Sequence, residues 1–188
     1  MEDPRLRCFS PPVSSSESSK SSLSSRTTRV SRRENLIAIH GERCAFCGSE
    51  SSITVAHLVS SRHTEEVSTY FGFPPYRSAM ELNSLRNYIL LCGTLGVEGT
   101  CHHEFDRNLI AVTQNSLGDG YVMICLNKTF AKYSEVHMKP PRFNLEQPPY
   151  RRILAWRTIK CVSEYPSLLT DTDLTFLLNS AELSDKVR

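Results

Sequence analysis

Apolar residues are sparse up to position 35 and then arrive in short runs whose spacing assigns most of the elements. From Ser14 to Ser25 the chain reads "SSSESSKSSLSS", which offers too little apolar surface to offset the entropy of ordering it, so residues 1–30 are expected to form a disordered tail. Arg26, Arg29, Arg32 and Arg33 follow the Ser-rich stretch and read either as a solvated linker or as phosphate contacts. Order is expected to begin near Ser31. There "SRRENLIAIHG" supplies a Ser N-cap, apolar Leu36, Ile37 and Ile39, and Gly41 as a stop, the pattern of a short helix. "ITVAHLV" has the β-branched content and length of a strand. "SRHTEEVSTYFGFPPYRS" reads as a long loop turning at its Pro-Pro pair. "AMELNSLRNYILLC" mixes helical spacing with an apolar end, "CHHEFDRNLIAV" reads as a helix followed by a strand, and "YVMICLN" is a strand after the "NSLGDG" turn. Farther on, "YRRILAWRTIKCV" predicts an amphipathic helix with Ile153, Leu154, Trp156 and Ile159 on or near one face and Trp156 as a packing residue. "LTDTDLTFLLNSAELSDKVR" predicts one more helix and a frayed end.

Composition narrows this α+β picture. A chain of 188 residues holds one domain with extensions or two very small domains. Its 39% hydrophobic content suffices for a modest core. A formal net charge of +2 permits nucleic-acid binding without requiring it. No apolar run approaches the roughly eighteen residues that span a bilayer, so no membrane association is expected. "MEDPRLRCFSPPVSSS" lacks the apolar stretch of a signal peptide, and the expected location is intracellular, nucleus and cytoplasm not being distinguishable. Seven cysteines, odd in number and unevenly placed, read as metal ligands plus spare thiols in a reducing compartment. Oligomeric state is not legible.

The candidate chemistry crowds into "NYILLCGTLGVEGTCHHEFDRNLI", Asn87 to Ile110. Cys44-x2-Cys47 upstream is half of a zinc site by spacing, with Gly48 and a Ser-rich turn after it, as suits a knuckle better than a redox pair. Cys92 and Cys101 can complete a closed four-cysteine site for a structural Zn²⁺; the other reading makes Cys92 a small buried hydrophobe after "ILL". Cys8 falls in the tail, and Cys125 and Cys161 sit in apolar patterns as core thiols. His102 and Asp106, at i and i+4, project from one helical face and read either as a surface ion pair or as two ligands of one divalent cation, Mg²⁺, Mn²⁺ or Zn²⁺. His57 lies at the end of a strand-like run, and Asn87 opens "NYILLC".

The order Cys-x2-Cys, strand with His, Asn-x4-Cys, then Cys-His with Asp on a helix resembles the HNH endonuclease family from about Arg43 to Leu109, in a version similar to HNH domains of fungal proteins. The resemblance implies a ββα-metal core with a zinc knuckle, an HNH nuclease domain over 31–127, and a C-terminal extension over 128–188 packing on that core. It places the family's first His, its Asn and its final His at His57, Asn87 and His102. The expected activity is hydrolysis of phosphodiester bonds in DNA, RNA not excluded, with His57 as general base, and with rate rising through about pH 6–7. Asn87 is expected to orient the His57 ring, directly or through the loop. Arg62, His63 and Arg86 flank the site as candidate phosphate contacts or solvated surface residues. Many HNH enzymes carry Asp or His just before the first His; here that position is Ala56. A catalytically silent HNH-like zinc module that binds nucleic acid or protein is therefore the alternative reading.

Overall fold

Two antiparallel strand pairs carry the fold, one for the candidate site and one for the core behind it. The computed structural model describes residues 25–72, 74–94, 96–115 and 117–178. In chain order these form α1 (Ser25–His40), β1 (Ile53–His57), α2 (Thr64–Phe71), α3 (Pro75–Leu82), β2 (Tyr88–Cys92), α4 (Cys101–Asp106), β3 (Ile110–Gln114), β4 (Tyr121–Cys125), α5 (Tyr133–Val136), α6 (Arg151–Glu164) and α7 (Asp171–Leu178). Helices and antiparallel strands are thus combined in an α+β arrangement. The Ser-rich stretch up to residue 24, Cys8 and the expected frayed end beyond residue 178 lie outside the described residues.

Strands β1 and β2 pair with Ile53 opposite Cys92 and His57 opposite Tyr88. Their long connection is not the loop expected from its polar composition. It folds into α2 and α3, and the Pro-Pro pair starts α3 rather than making a turn, because a proline at the first helical position gives up only an N–H that needs no partner. These helices are eight residues each, and among their described side chains little besides Val67, Ser68, Ser78 and Leu82 is buried, too few positions to display a period. Helix α1 starts at Ser25, ahead of the expected Ser31, and ends where Gly41 N–H donates to Ile37 O at 2.8 Å.

Strands β3 and β4 pair from Ile110–Cys125 to Gln114–Tyr121. Alternation sends Ile110, Val112, Met123 and Cys125 into a core shared with Leu36, Phe46, Leu58, Leu90, Phe105, Ile153, Leu154 and Trp156. Ala111 and Ile124 face the other way, toward Leu126, Cys161 and Leu177. With both faces covered, β3 is buried at every position. Helix α6 passes between the two cores. Residues Ile153 through Thr158 are therefore all buried and Ile159 only partly so, which replaces the expected single apolar face with near-complete enclosure. Burial pushes the thiols of Cys125 and Cys161 up to about 12. Among the described residues no helix is long and apolar enough to cross a membrane.

Candidate active site

The four-cysteine cluster is built by local hydrogen bonding at three points of the chain. Cys44 N–H donates to Ser49 O at 2.8 Å and Gly48 N–H to Cys44 O at 3.0 Å, curling residues 44–49 into a knuckle. Ala45 N–H donates to Leu90 O at 2.8 Å and docks that knuckle on β2. Cys92 ends β2 and Cys101 begins α4, and the segment between them must bulge away. Gly93 makes this possible: its φ is +98°, and a Cβ there would lie 2.3 Å from the Thr100 side chain. The four sulfurs all lie within 4.8 Å of one another, Cys47 and Cys92 at 3.6 Å, and all four residues are buried. A tetrahedral thiolate shell with bonds of about 2.3 Å has sulfur–sulfur edges near 3.8 Å. The cluster fits that shell and could hold a metal ion.

The packed sulfurs divide their protons unequally. Hydrogen bonds from Cys101 and Cys44 draw the Cys47 thiol down to about 6, and Cys101 foremost lowers Cys92, while Cys101 itself is raised by its contacts with Cys44, Cys47 and Cys92. The Lys132 ammonium stands 3.4 Å from the Cys47 sulfur and 3.3 Å from that of Cys92. Burial pulls its pKa down, but the two sulfurs outweigh that and raise it.

Strand β1 also borders a cleft of about 1040 Å³, and His57, His102 and Asp106 all line it. His57 is exposed at the end of β1, its ring 4.5 Å from that of Tyr88 on the partner strand. The Arg32 guanidinium covers that tyrosine ring at 4.2 Å. Asn87 does not touch the His57 ring. It is fully buried, its Oδ1 accepts from Val59 N at 3.0 Å, and its Nδ2 donates to Val59 O at 2.8 Å and to Leu82 O at 2.7 Å. It therefore fixes the chain at Val59, two residues past His57.

His102 is buried on α4, where Thr100 caps the helix by accepting from His103 N. Its Nδ1 sits 2.7 Å from Thr54 Oγ1. Thr54 has one hydroxyl proton, and its shortest contact, 2.5 Å to Gly93 O, takes it. Thr54 then accepts from His102 Nδ1–H. That tautomer leaves an Nε2 lone pair 3.3 Å from Asp106 Oδ2, two electron donors face to face. Such a pair calls for a cation between them, either a proton or a metal ion. His103 does not line the cleft, and Ala56, 1% exposed and paired with Ile89, offers no ligand.

Of the three expected phosphate contacts, two line the cleft. Arg62 is exposed there, and its side chain has no hydrogen-bond partner among the described residues; His63 is held by Glu66 at 3.1 Å. Arg86 lies elsewhere: its Nε donates to Pro148 O at 2.9 Å and its guanidinium stacks 4.3 Å over the Tyr150 ring, so it braces the segment before α6.

Three contributors were not singled out from the sequence. Thr54 shares a strand face with Ala56, a relation visible only once β1 is placed against α4. Lys132 meets the cluster across a separation that no local pattern encodes. Arg157 is a charged residue inside the apolar run "ILAWRTIKC", which was a usable signal. It is 9% exposed, its Nη1 donates to Leu58 O at 3.0 Å, its Nη2 donates to Phe105 O, and its guanidinium lies 3.8 Å over the Phe105 ring. It thus ties the residue after His57 to the residue before Asp106, and burial lowers its pKa.

Comparison with the curated proteins and with the solved structures gave no match. Among family models, that of the HNH endonucleases, enzymes that act on nucleic acids, matches residues 44–113, the stretch from the knuckle through both halves of the cleft to β3. Over residues 44–113 the chain is thus similar to the HNH endonucleases.

Proposed function

We propose that this protein is a metal-dependent endonuclease that hydrolyses phosphodiester bonds in DNA, with His57 as general base and the four-cysteine cluster as a structural zinc site. One observation carries the reading: His57, His102 and Asp106 open onto a single cleft, with the His102–Asp106 pair arranged as two facing electron donors.

In this reading the exposed His57 imidazole takes a proton from the attacking water, a task its residue type suits near neutral pH. Tyr88 restricts the ring from one side, and Asn87 holds the backbone beyond it. His102, oriented by Thr54, and Asp106 would hold a divalent cation, which when bound supplies Lewis-acid stabilisation of charge on the phosphate and the leaving oxygen. Arg32, Arg62 and Arg157 line the same cleft and give it positive charge for the approaching backbone. Trp156 and Tyr88, 5% and 2% exposed, offer no stacking platform for bases. Contact is therefore with phosphates, and cleavage carries little sequence preference. Zn²⁺ suits four buried thiolates and would pin the knuckle, β2 and α4 together, on the order of 10 kcal/mol in zinc-finger peptides.

A second reading has one specific support. Ala56 leaves the cation with two protein ligands, which suits a silent module that binds nucleic acid or protein. A plasmid-nicking assay with Mg²⁺, Mn²⁺ or Ni²⁺, on wild type and His57→Ala, separates the two. Nicking by wild type and its loss in the variant are expected. No nicking in any of these metals, by folded and zinc-loaded protein, refutes the enzyme reading. A parallel RNA substrate decides between the nucleic acids.

A further inference from the structure

A second cavity, of about 420 Å³, opens at the C-terminal end of α1 and is lined by His40, Arg43, Arg142, Phe143 and Asn144 among others, with no acidic residue. Neither arginine side chain has a hydrogen-bond or ion-pair partner among the described residues. The nearest carboxylate in sequence, Glu42, is taken by Arg33. His40 Nδ1 accepts from Asn144 N at 3.2 Å, so the neutral ring carries its proton on Nε2 and is a donor there. Burial lowers the His40 pKa and keeps that neutral form. Three donor side chains thus line one cavity, and none has an acceptor to match. Arg142 is also held in place: its backbone N–H donates to Ala45 O at 2.7 Å, and its guanidinium packs on Gly48, where any Cβ would lie 2.7 Å from its Cζ. Gly48, with φ +79°, leaves the room that this requires.

The cavity shares a helix with the cleft. Arg33 lines the cleft and His40 the cavity, seven residues later on α1. Seven residues are close to two helical turns, so both project from one face about 10.5 Å apart. Successive phosphates of one strand rise about 3.4 Å along the duplex axis but stand about twice that far apart through space, so this distance spans about one to two phosphate steps.

We infer that His40, Arg43 and Arg142 form a phosphate-binding site for the nucleic-acid backbone, about one to two nucleotides beyond the Arg33 edge of the cleft. The inference rests on the proposed reading for its substrate but not for its chemistry, since binding here requires no cleavage. It gives α1 and residues 142–144, all of them outside the matched segment 44–113, a share in holding the strand.

The test is fluorescence anisotropy with a labelled duplex oligonucleotide, without added divalent cation, over about 50 to 200 mM salt. Wild type is compared with Arg43→Gln/Arg142→Gln and with Arg43→Lys/Arg142→Lys. Losing two phosphate contacts should flatten the log–log salt slope by about 1.8, so that the wild-type advantage shrinks about twelvefold across that range. The lysine variant should restore most of the slope, which a mere loss of packing would not allow. An unchanged slope in the glutamine variant, with wild type binding normally, overturns the inference and leaves the nuclease reading standing. Saturable binding of inorganic phosphate at Arg43 and Arg142, seen by NMR, with no effect of either variant on the oligonucleotide, also overturns it, in favour of a free anion. A flattened slope in a protein that never nicks supports the inference and removes the enzyme reading instead.

Discussion

Replacing Arg157 with methionine separates the stability of this protein from the geometry of its site. The change keeps most of the side-chain volume and removes a fork that joins Leu58 O to Phe105 O. Phe105 O keeps another donor, Asn108 N–H at 3.0 Å, whereas Leu58 O is left without its Arg157 donor. One orphaned buried carbonyl costs about 1–3 kcal/mol, and the guanidinium over Phe105 adds about 1–2 kcal/mol when desolvated. Against this, Arg157 is a buried cation with no carboxylate in ion-pair contact among the described residues, and an apolar replacement recovers part of its desolvation cost. The net loss should be about 2 kcal/mol. A domain of ordinary stability, about 5–15 kcal/mol, stays more than about 99% folded after it. The catalytic consequence is larger. Leu58 follows His57 and Phe105 precedes Asp106, so the two sides of the cleft lose their direct link, and a misplacement of about 1 Å costs about 100-fold in rate. We therefore expect plasmid nicking to fall about 100-fold in Arg157→Met, with urea denaturation showing only the small loss. Arg157→Lys, which keeps the charge without the fork, should recover only part of the rate. Nicking by folded Arg157→Met within about threefold of wild type would refute the role given to this residue.

Asn87→Ala leaves Val59 N–H, Val59 O and Leu82 O without their side-chain partner, and should lower the unfolding free energy by about 3–5 kcal/mol in a urea titration as well as reduce nicking. Cys101→Ser removes one of four ligands, and metal analysis should show zinc content falling well below one ion per chain together with a lower melting temperature. Lys132→Met takes a positive charge from beside two sulfurs, and a chelator should then extract the ion roughly tenfold faster, the effect of about 1.4 kcal/mol of lost attraction. Cys125 and Cys161 titrate at about 12 in the folded chain against an ordinary value of 9.0, so above pH 9 the unfolded chain binds fewer protons than the folded one and stability falls as pH rises. Each thiol should cost about 1.4 kcal/mol per pH unit between those values. Urea midpoints at successive alkaline pH values, with Cys161→Ala as the shallower control, check the slope.

The residues proposed for the site lie in local patterns, and so they could be picked out in the sequence. Cys-x2-Cys spacing, the i, i+4 relation of His102 and Asp106, and the strand-like run ending at His57 depend on distances that one turn, one helix or one strand fixes. The strands β1, β3 and β4 and the presence of helix α6 were legible for the same reason, their apolar spacing being a property of a few consecutive residues, whereas β2 showed only as an apolar end to a helical pattern. The helices between β1 and β2 were not, since eight-residue helices with few buried positions carry almost no period. Tertiary structure alone decided what surrounds the local motifs. Whether Asn87 meets the His57 ring or its loop, whether Arg86 reaches the cleft, and which lone pair of His102 faces Asp106 all depend on contacts between segments distant in sequence. The same holds for Arg157 and Lys132, which reach the site and the sulfur cluster from beyond residue 113. Hydrophobic burial brings such segments together without regard to sequence separation, and only then do their polar groups find the partners that set their roles.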